Sequence, residues 1–376
     1  MKFGLMFFAA SEDSLAGDKY RLVVESARFA DEHGFSSVWV PERHFTSFGG
    51  LYPNPAVLHA ALAMCTRTIR LNAGSVVAPL HNPIRIAEEW SVVDNLSHGR
   101  VGLSFASGWN PDDFVFFPDR YATRHDQMFD AIRTVQRLWR GESIAATSGV
   151  GQPCVVRVLP RPVQPELPVW VTAAGNPQTF ERAGAAGAHL LTHLLDQDEQ
   201  VLAAKIDLYR KARADAGFDP SSGEVAVMLH TFVGADAAQV REEARRPYCE
   251  YIKANLGLLT GLARSRGRDA DLTTMSPEDR DELVNYLYDR FASERGLIGT
   301  PESCAPLVAH LEQIGVTEAA CLLDFGPDAD QILANLPHLA RLAQSDVARL
   351  TSGAVVSRRR ELFEPDKRPS DVHGNL

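Results

Sequence analysis

Three consecutive side chains, Glu42, Arg43 and His44, place an acid, a permanent cation and a titratable imidazole within one short segment. Histidine changes its charge near neutral pH, so His44, with Glu42 beside it, is the candidate general acid or base. Arg43 cannot be a base near neutrality because its guanidinium stays protonated. The segment follows the apolar run Ser37–Val40, and we therefore expect these side chains at the end of a strand.

Two more histidines, His193 and His230, end later apolar runs, and Trp109 follows another run. We interpret all three as substrate contacts, although an isolated tryptophan more often belongs to a protein core. Glu42 and three histidines also raise the hypothesis of a metal site. The ligands lack a supporting spacing such as His-Glu-x-x-His, so we expect no metal.

These residues need a scaffold, and the chain alternates short apolar runs with stretches of helical period, which is typical of βα units and a parallel sheet. Eight such runs predict an α/β protein with a (β/α)8 TIM barrel, whose site forms at the carboxyl ends of the strands. The predicted strands are Lys2–Phe8, Ser37–Val40, Arg70–Ala78, Val101–Ser107, Val169–Ala173, His189–Leu194, Val225–Val233 and Glu318–Phe325. The predicted helices are Asp18–Glu32, Pro55–Met64, Pro83–Leu96, His125–Arg140, Pro177–Ala186, Glu199–Ala216, Pro301–Ile314 and one after Pro327.

Two segments interrupt this alternation, and they set the predicted domain organisation. We expect one barrel domain over residues 1–344, a helical insertion at 241–295 after the seventh strand, and a polar tail at 345–376. An insertion at that point lies on the catalytic face, so it is either a lid or surface padding that includes an oligomer contact. The tail is expected to be poorly ordered or to form an arm over a neighbouring subunit.

Composition excludes several classes of protein. The net charge of −10 argues against nucleic acid as a partner. The five cysteines form no Cys-x-x-Cys pair, no apolar run is long enough to cross a membrane, and the first residues lack a charged leader. These features indicate a cytoplasmic protein with no membrane partner.

Four segments, taken in order, resemble the luciferase-like flavin-dependent monooxygenase family. Residues 41–50 resemble its Glu-His-His-Phe-Thr-x-Phe-Gly region, and residues 72–85 resemble its third strand and the turn that follows. Residues 96–109 are similar to its Ser-x-Gly-Arg strand, and residues 168–180 to its strand-to-helix turn that binds phosphate. The amino-acid sequences of these and other segments resemble the branch of the family whose members are found beside polyketide and nonribosomal peptide assembly lines.

This resemblance implies an enzyme that uses reduced FMN and O2, through a flavin C4a-(hydro)peroxide, to oxygenate a natural-product intermediate. It also implies a separate flavin reductase, a substrate that is a free small molecule or is bound to a carrier protein, and a homodimer that pairs through the early helices. Two alternatives stay open: a deazaflavin-dependent oxidoreductase on the same barrel, and a flavin-binding barrel that has lost catalysis.

The resemblance assigns cofactor contacts to this chain. Gly74 and Ser75 would lie under the flavin ring, where relatives carry a cis peptide that is not before proline, and Ala106 and Ser107 would face the same ring. The remaining implied cofactor contacts are Thr172, Ala174, Gly175, Asn176 and Thr179. A simple strand kink at Gly74 and an ordinary capped turn after Thr172 are the structural alternatives.

Two positions depart from the pattern of the family. Arg43 stands where luciferase has the histidine that serves as its base, which transfers that role to His44. Ser107 stands where luciferase has an arginine that binds the phosphate, and Arg124 is the candidate replacement unless it pairs with Asp126 on the surface. Residues 241–268 carry seven basic and three acidic side chains, a patch that either docks an acidic carrier or is a solvated helix face.

Overall fold

Eight parallel strands close on themselves in the order β1-β2-β3-β4-β7-β8-β9-β11, and β11 pairs with β1 to complete a barrel. The computed structural model describes residues 1–9, 18–195, 197–254 and 276–345. The fold confirms the predicted (β/α)8 TIM barrel. The barrel strands are β1 Lys2–Met6, β2 Ser37–Val40, β3 Arg70–Val77, β4 Val101–Ala106, β7 Val169–Thr172, β8 His189–His193, β9 Val225–Val233 and β11 Glu318–Leu322.

Helices surround the barrel, and their first residues explain where they begin. Five of them start with a proline that follows a capping Asn, Ser or Thr, whose side chain accepts a backbone N–H of the first turn. The helices of the described residues are α1 Arg21–Glu32, α2 Pro55–Cys65, α3 Pro83–Ser97, α4 Arg124–Trp139, α5 Pro177–Ala185, α6 Glu199–Asp215, α7 Ala237–Ala254, α8 Pro277–Glu294, α9 Pro301–Gln313 and α10 Ala329–Gln344.

Barrel strands are buried on both faces, which their nearly continuous apolar sequences require. All nine residues of β9 are buried, as are all four residues of β2. Inside the barrel Trp39 meets Trp170 edge to face, with 5.4 Å between ring centroids. This packed interior leaves the carboxyl ends of the strands as the place where polar side chains gather.

Two elements of the structure were not predicted. Strands β5 Ile144–Thr147 and β6 Pro153–Val156 form an antiparallel hairpin between α4 and β7, joined by a turn that contains Gly149 and Gly151. Their residues alternate between half-buried and exposed, so they lack a strong apolar run. Strand β10 Leu297–Gly299 pairs with Thr231 to Val233, which carries β9 beyond His230.

Helices α7 and α8 follow the seventh barrel strand and pack against each other. Residues 255–275 between them, and residues 346–376 of the predicted tail, lie outside the described residues. In the described part of the chain, no helix is both long enough and apolar enough to cross a membrane.

Candidate functional site

A buried carboxylate organises the rim above β2 and β3. Glu42 Oε1 lies 2.9 Å from Nε2 of His44 and 2.6 Å from Nε2 of His81, and Oε2 accepts the backbone N–H of Val77 at 2.7 Å. His81 was not predicted as a site residue. It lies in the turn after β3, and a histidine beside Asn82-Pro83 was the one sequence signal for it.

Electrostatics hold this group in a charged form. Burial alone would raise the pKa of Glu42, but hydrogen bonds from His44 and His81 lower it below its ordinary value. Burial opposes the charge of His81, yet its hydrogen bond to Glu42 raises its pKa. An ionised carboxylate only accepts hydrogen bonds, so His44 carries a proton on Nε2, and Nδ1 is the ring nitrogen that can exchange a proton.

Arg43 points into a different environment from its neighbours. Its guanidinium carbon lies 5.1 Å from the ring centroid of Phe8, 4.7 Å from that of Phe48 and 5.2 Å from that of Trp109. Burial lowers its pKa. Trp109 is 41% exposed, so it is a wall of this rim and not the core residue of the alternative interpretation.

The third strand carries the irregularity that the resemblance implies. The Gly74–Ser75 peptide bond is cis, and the register of β3 against β4 shifts between Gly74 and Val76. Thr172 Oγ1 at the end of β7 lies 2.5 Å from Oγ of Ser75 and 2.7 Å from Oγ of Ser104. The structure thus brings together the two predicted residues Ser75 and Thr172, and Ser104 joins them. Ala106 and Ser107 follow at the end of β4 and are half-buried.

The turn from Ala174 to Thr179 leads into α5, whose first residues are capped by Asn176 through the N–H of Gln178 at 3.0 Å. A buried cation supports the turn from behind. Lys205 of α6 donates to the carbonyl of Ala174 at 3.2 Å and to Gln197 Oε1 at 2.7 Å, and burial lowers its pKa. Lys205 was missed because helical periodicity reveals which face of α6 is buried but not which loop that face meets.

Arg124 does not form the surface pair that we considered. Its Nε donates to the carbonyl of Gly108 at 3.0 Å and its Nη1 to the carbonyl of Tyr121 at 2.9 Å. Asp126 pairs instead with Arg182 at 2.9 Å. The alternative of an Arg124–Asp126 pair is therefore wrong, while a contact of Arg124 with phosphate stays a prediction.

The two later histidines differ in placement. His193 ends β8 as expected, and its Nδ1 accepts the N–H of Leu195 at 3.3 Å. His230 was expected at the pore mouth, but it is fully buried because β9 continues to Val233 and the insertion packs over it. Burial lowers the pKa of His230 to about 3, so it is neutral. The rings around it belong to Tyr248, Tyr251, Phe291 and Phe325.

The metal hypothesis and the basic patch can also be compared with the structure. Within residues 1–9, 18–195, 197–254 and 276–345, no group of three His, Cys, Asp or Glu side chains is placed to hold a metal ion.

Three basic residues of the patch at 241–268 face carboxylates: Arg245 lies 2.5 Å from Asp289, Arg246 2.9 Å from Glu250, and Lys253 2.5 Å from Asp281. These pairs reduce the positive charge available to a carrier protein. Residues 264, 266 and 268 of the patch lie outside the described residues.

A family model described as luciferase-like monooxygenase matches residues 1–318. The chain belongs to the luciferase-like monooxygenase family. This membership confirms the predicted class of enzyme. Among curated relatives of this luciferase-like monooxygenase, the alkanal monooxygenase alpha chain of Photorhabdus luminescens is 25% identical over 362 residues, 92% of this chain and 96% of that one. The oxygenase component of the flavin-dependent trigonelline monooxygenase of Acinetobacter baylyi is 24% identical over 353 residues, 90% of this chain and 93% of that one.

Solved structures of similar fold cover the luciferase-like monooxygenase along most of its length. Monooxygenase RslO1 from Streptomyces bottropensis has a TM-score of 0.73 at 24% identity and covers 91% of this chain and 98% of its own. The oxygenating constituent of 3,6-diketocamphane monooxygenase of Pseudomonas putida, in complex with FMN, has a TM-score of 0.72 at 19% identity and covers 93% and 98%. An F420-dependent secondary alcohol dehydrogenase has a TM-score of 0.66 at 18% identity and covers 92% and 99%.

Proposed function

We propose that this luciferase-like monooxygenase is the oxygenase of a two-component system that uses reduced FMN and O2 to oxygenate a natural-product intermediate, either free or bound to a carrier protein. One observation carries the proposal. One barrel face carries the Glu42–His44 pair after β2, the bulge at Gly74–Ser75 within β3 and the amino end of α5 after β7. The FMN complex of the camphane enzyme and the name of the trigonelline oxygenase component support this choice of cofactor and partner.

The residues present fit FMN in their donor chemistry. Among the described residues, the backbone N–H groups of Gly175 and Asn176 donate to no other group, and they precede a helix amino end, which favours an anion. Lys205 adds a buried positive charge behind the same turn. The phosphate is therefore assigned to the turn from Ala174 to Thr179, and the ring edge to the hydroxyls of Ser75 and Thr172.

Reduced FMN, when bound, would supply the electrons that activate O2. The chain's own residues then have distinct tasks. Glu42 holds His44 by its Nε2 proton, so Nδ1 of His44 gives or takes the proton that oxygen transfer requires. Helices α7 and α8 lie on the catalytic face and exclude water from it. The sequence has no nucleotide-binding motif for NAD(P)H, so a separate reductase would deliver the reduced flavin.

We also propose that the protein is a homodimer that pairs through α1 and α2. Val57 and Met64 lie on α2 and are exposed at 67% and 73%, an unusual exposure for apolar side chains on a barrel helix. Burial of these residues against a second copy would remove them from water.

The test is a stopped-flow experiment in which protein with anaerobically reduced FMN meets O2. We expect a transient absorbance phase before oxidised flavin appears, and a slower or altered decay in His44→Gln, with unchanged FMN affinity. Immediate oxidation without a transient phase would overturn the monooxygenase proposal. Reduction of a deazaflavin by an alcohol substrate without uptake of O2 would establish the alternative dehydrogenase. Failure to bind either flavin would exclude both.

A further inference from the structure

Arg43 differs from the other buried arginines of the structure in its lack of hydrogen bonds. Arg100 donates to the carbonyls of Ser97, Ile69 and Thr66, and Arg213 donates to the carbonyl of Ala188 and to Ser222. Arg43 is as deeply buried as they are, at 6% exposure, yet its Nε has no hydrogen-bond partner in the described part of the chain. Among the described residues it also has no carboxylate within 4 Å.

A desolvated guanidinium without acceptors is costly, so something must compensate it. The rings of Phe8, Phe48 and Trp109 compensate it in part through their faces. Aromatic faces offer no acceptor in the plane of the guanidinium, where its N–H groups point. The guanidinium therefore has room for a hydrogen-bond acceptor that none of the described residues provides.

The carboxylate of Asp113 does not provide the missing acceptor. It attracts the guanidinium without forming an ion pair, and it accepts a hydrogen bond from Asn110 at 2.7 Å. The backbone at Gly49 lies close to the side chain of Arg43 and leaves no room for a larger residue. Its φ is +71°, and a Cβ at this position would lie 2.9 Å from Cγ of Arg43.

We propose that Arg43 binds a carboxylate of the substrate, so that the luciferase-like monooxygenase acts on an organic acid. This inference rests on the proposed function and names its substrate class. A planar carboxylate can accept two parallel N–H groups of a guanidinium, which adds both affinity and orientation. The charge of Asp113 acts on both Arg43 and His44, so a bound acid would lie in the same part of the rim as the group that exchanges protons.

The aromatic neighbours define the rest of the substrate. Phe48 contacts Tyr251 of α7 with ring centroids 5.4 Å apart, and Tyr251 contacts His230 at 5.5 Å. An apolar or aromatic body attached to the carboxylate meets this row of rings, while Trp109 covers the guanidinium from the solvent side. The acid is therefore expected to carry an apolar body.

The test is calorimetric titration of the flavin-free protein with phenylacetate, with its neutral analogue phenylacetamide and with phenyl phosphate. We expect phenylacetate to bind about tenfold to a hundredfold more tightly than the amide, because a hydrogen bond between charged groups contributes that much more to affinity than a hydrogen bond to a neutral amide. Arg43→Met should abolish this preference and Arg43→Lys should reduce it. The matched control Arg133→Met, an exposed arginine of α4, should keep it.

The melting temperature separates a binding role from a structural one. If Arg43 serves to bind the substrate and has no structural role, Arg43→Met leaves the melting temperature of the ligand-free protein unchanged or raises it. Phenylacetate then stabilises only the wild-type protein. A large loss of stability in Arg43→Met would mean that the cation is structural and would overturn the inference. Tighter Arg43-dependent binding of phenyl phosphate than of phenylacetate would overturn the assignment to a carboxylate.

Titration with FMN distinguishes failure of this inference from failure of the proposed function. If the wild-type protein binds FMN normally but does not prefer phenylacetate to phenylacetamide, the proposed function stands and the inference is refuted. Acid selectivity without any FMN binding refutes the proposed function alone. A loss of affinity for reduced FMN in Arg43→Met, with phenylacetate binding unchanged, would assign the guanidinium to the cofactor and refute the inference.

Discussion

Replacement of Glu42 by glutamine tests how the rim is held together. Glu42→Gln keeps the shape of the side chain but presents an NH2 group where an oxygen accepted a hydrogen bond. If the amide oxygen keeps the N–H of Val77, the NH2 group faces Nε2 of His44 and His81. Both histidines must then move their proton to Nδ1, which removes the proton-exchanging position of His44.

The cost of this change should depend on pH. The pKa of His81 is raised in the folded state, so its stabilisation is complete below the unfolded pKa and is lost as pH rises through the folded pKa. The pKa of Glu42 is lowered, so its stabilisation is present above the unfolded pKa and is lost as pH falls through the folded pKa. A pH of 5.5 lies between the ordinary values of 4.5 and 6.5, where both contributions act.

We expect Glu42→Gln to lower the free energy of unfolding by about 3–5 kcal/mol at pH 5.5, the cost of removing one partner of a buried pair. As the pH rises through the raised pKa of His81, the contribution of its charge is lost, so the cost at pH 8.5 should be smaller, about 1.5–3 kcal/mol. Urea denaturation followed by tryptophan fluorescence at the two pH values measures both. The control Glu88→Gln, on the exposed face of α3, should change stability by less than about 0.5 kcal/mol. An equal cost at both pH values, or a larger one at pH 8.5, would refute the reasoning.

Three further perturbations address other parts of the site. Lys205→Met should weaken FMN about tenfold and leave riboflavin, which lacks the phosphate, unaffected in fluorescence titrations; equal losses for both ligands would contradict a role at the phosphate. Thr172→Val should lower the free energy of unfolding by about 1–3 kcal/mol because two hydroxyls lose their partner, whereas Thr172→Ser should retain most of it; urea denaturation compares the two. Gly49→Ala should lower the melting temperature more than Gly34→Ala. The new Cβ at position 49 would lie 2.7 Å from the carbonyl oxygen of Phe8, whereas Gly34 has a similar φ of +78° but nothing within 4 Å. Similar losses in the two variants would show that backbone strain, and not the contact with Phe8, causes the loss of stability.

The barrel could be predicted because its signal is local and repeated. Strands such as β9 and β11 are continuous apolar runs, and helices such as α3 and α5 begin at Asn-Pro, where the capping residue and the proline agree. The β5–β6 hairpin lacked such a signal, since each strand has only four residues and alternates half-buried with exposed positions. The bounds of β9 were predicted correctly, but β10, which pairs with its last three residues, was not, because β10 has only three residues.

The candidate site was predictable only where its residues lie on a strand or shortly after one. Ser75 lies on β3, Thr172 ends β7, and Glu42 follows β2. His81 and Lys205 come from a turn and a helix, and they reach the site through contacts between segments that are far apart in sequence. His230 shows the reverse case, since its position in the strand was correct but its burial depends on helices α7 and α8.

The different environments of Arg43 and His44 suggest different roles for these two adjacent residues. The resemblance implies a histidine base at the position of Arg43, and an arginine cannot act as a base near neutral pH. The next side chain, His44, hydrogen-bonds to Glu42, and His81 shares the same carboxylate oxygen, which supports the proposal that His44 is the acid or base. Arg43 is then free of proton transfer and surrounded by aromatic rings, which suits recognition of an anion. Under the two proposals, His44 exchanges protons and Arg43 binds the acid. The two roles should then separate in kinetics, with His44 variants lowering kcat and Arg43 variants raising KM for an acid substrate.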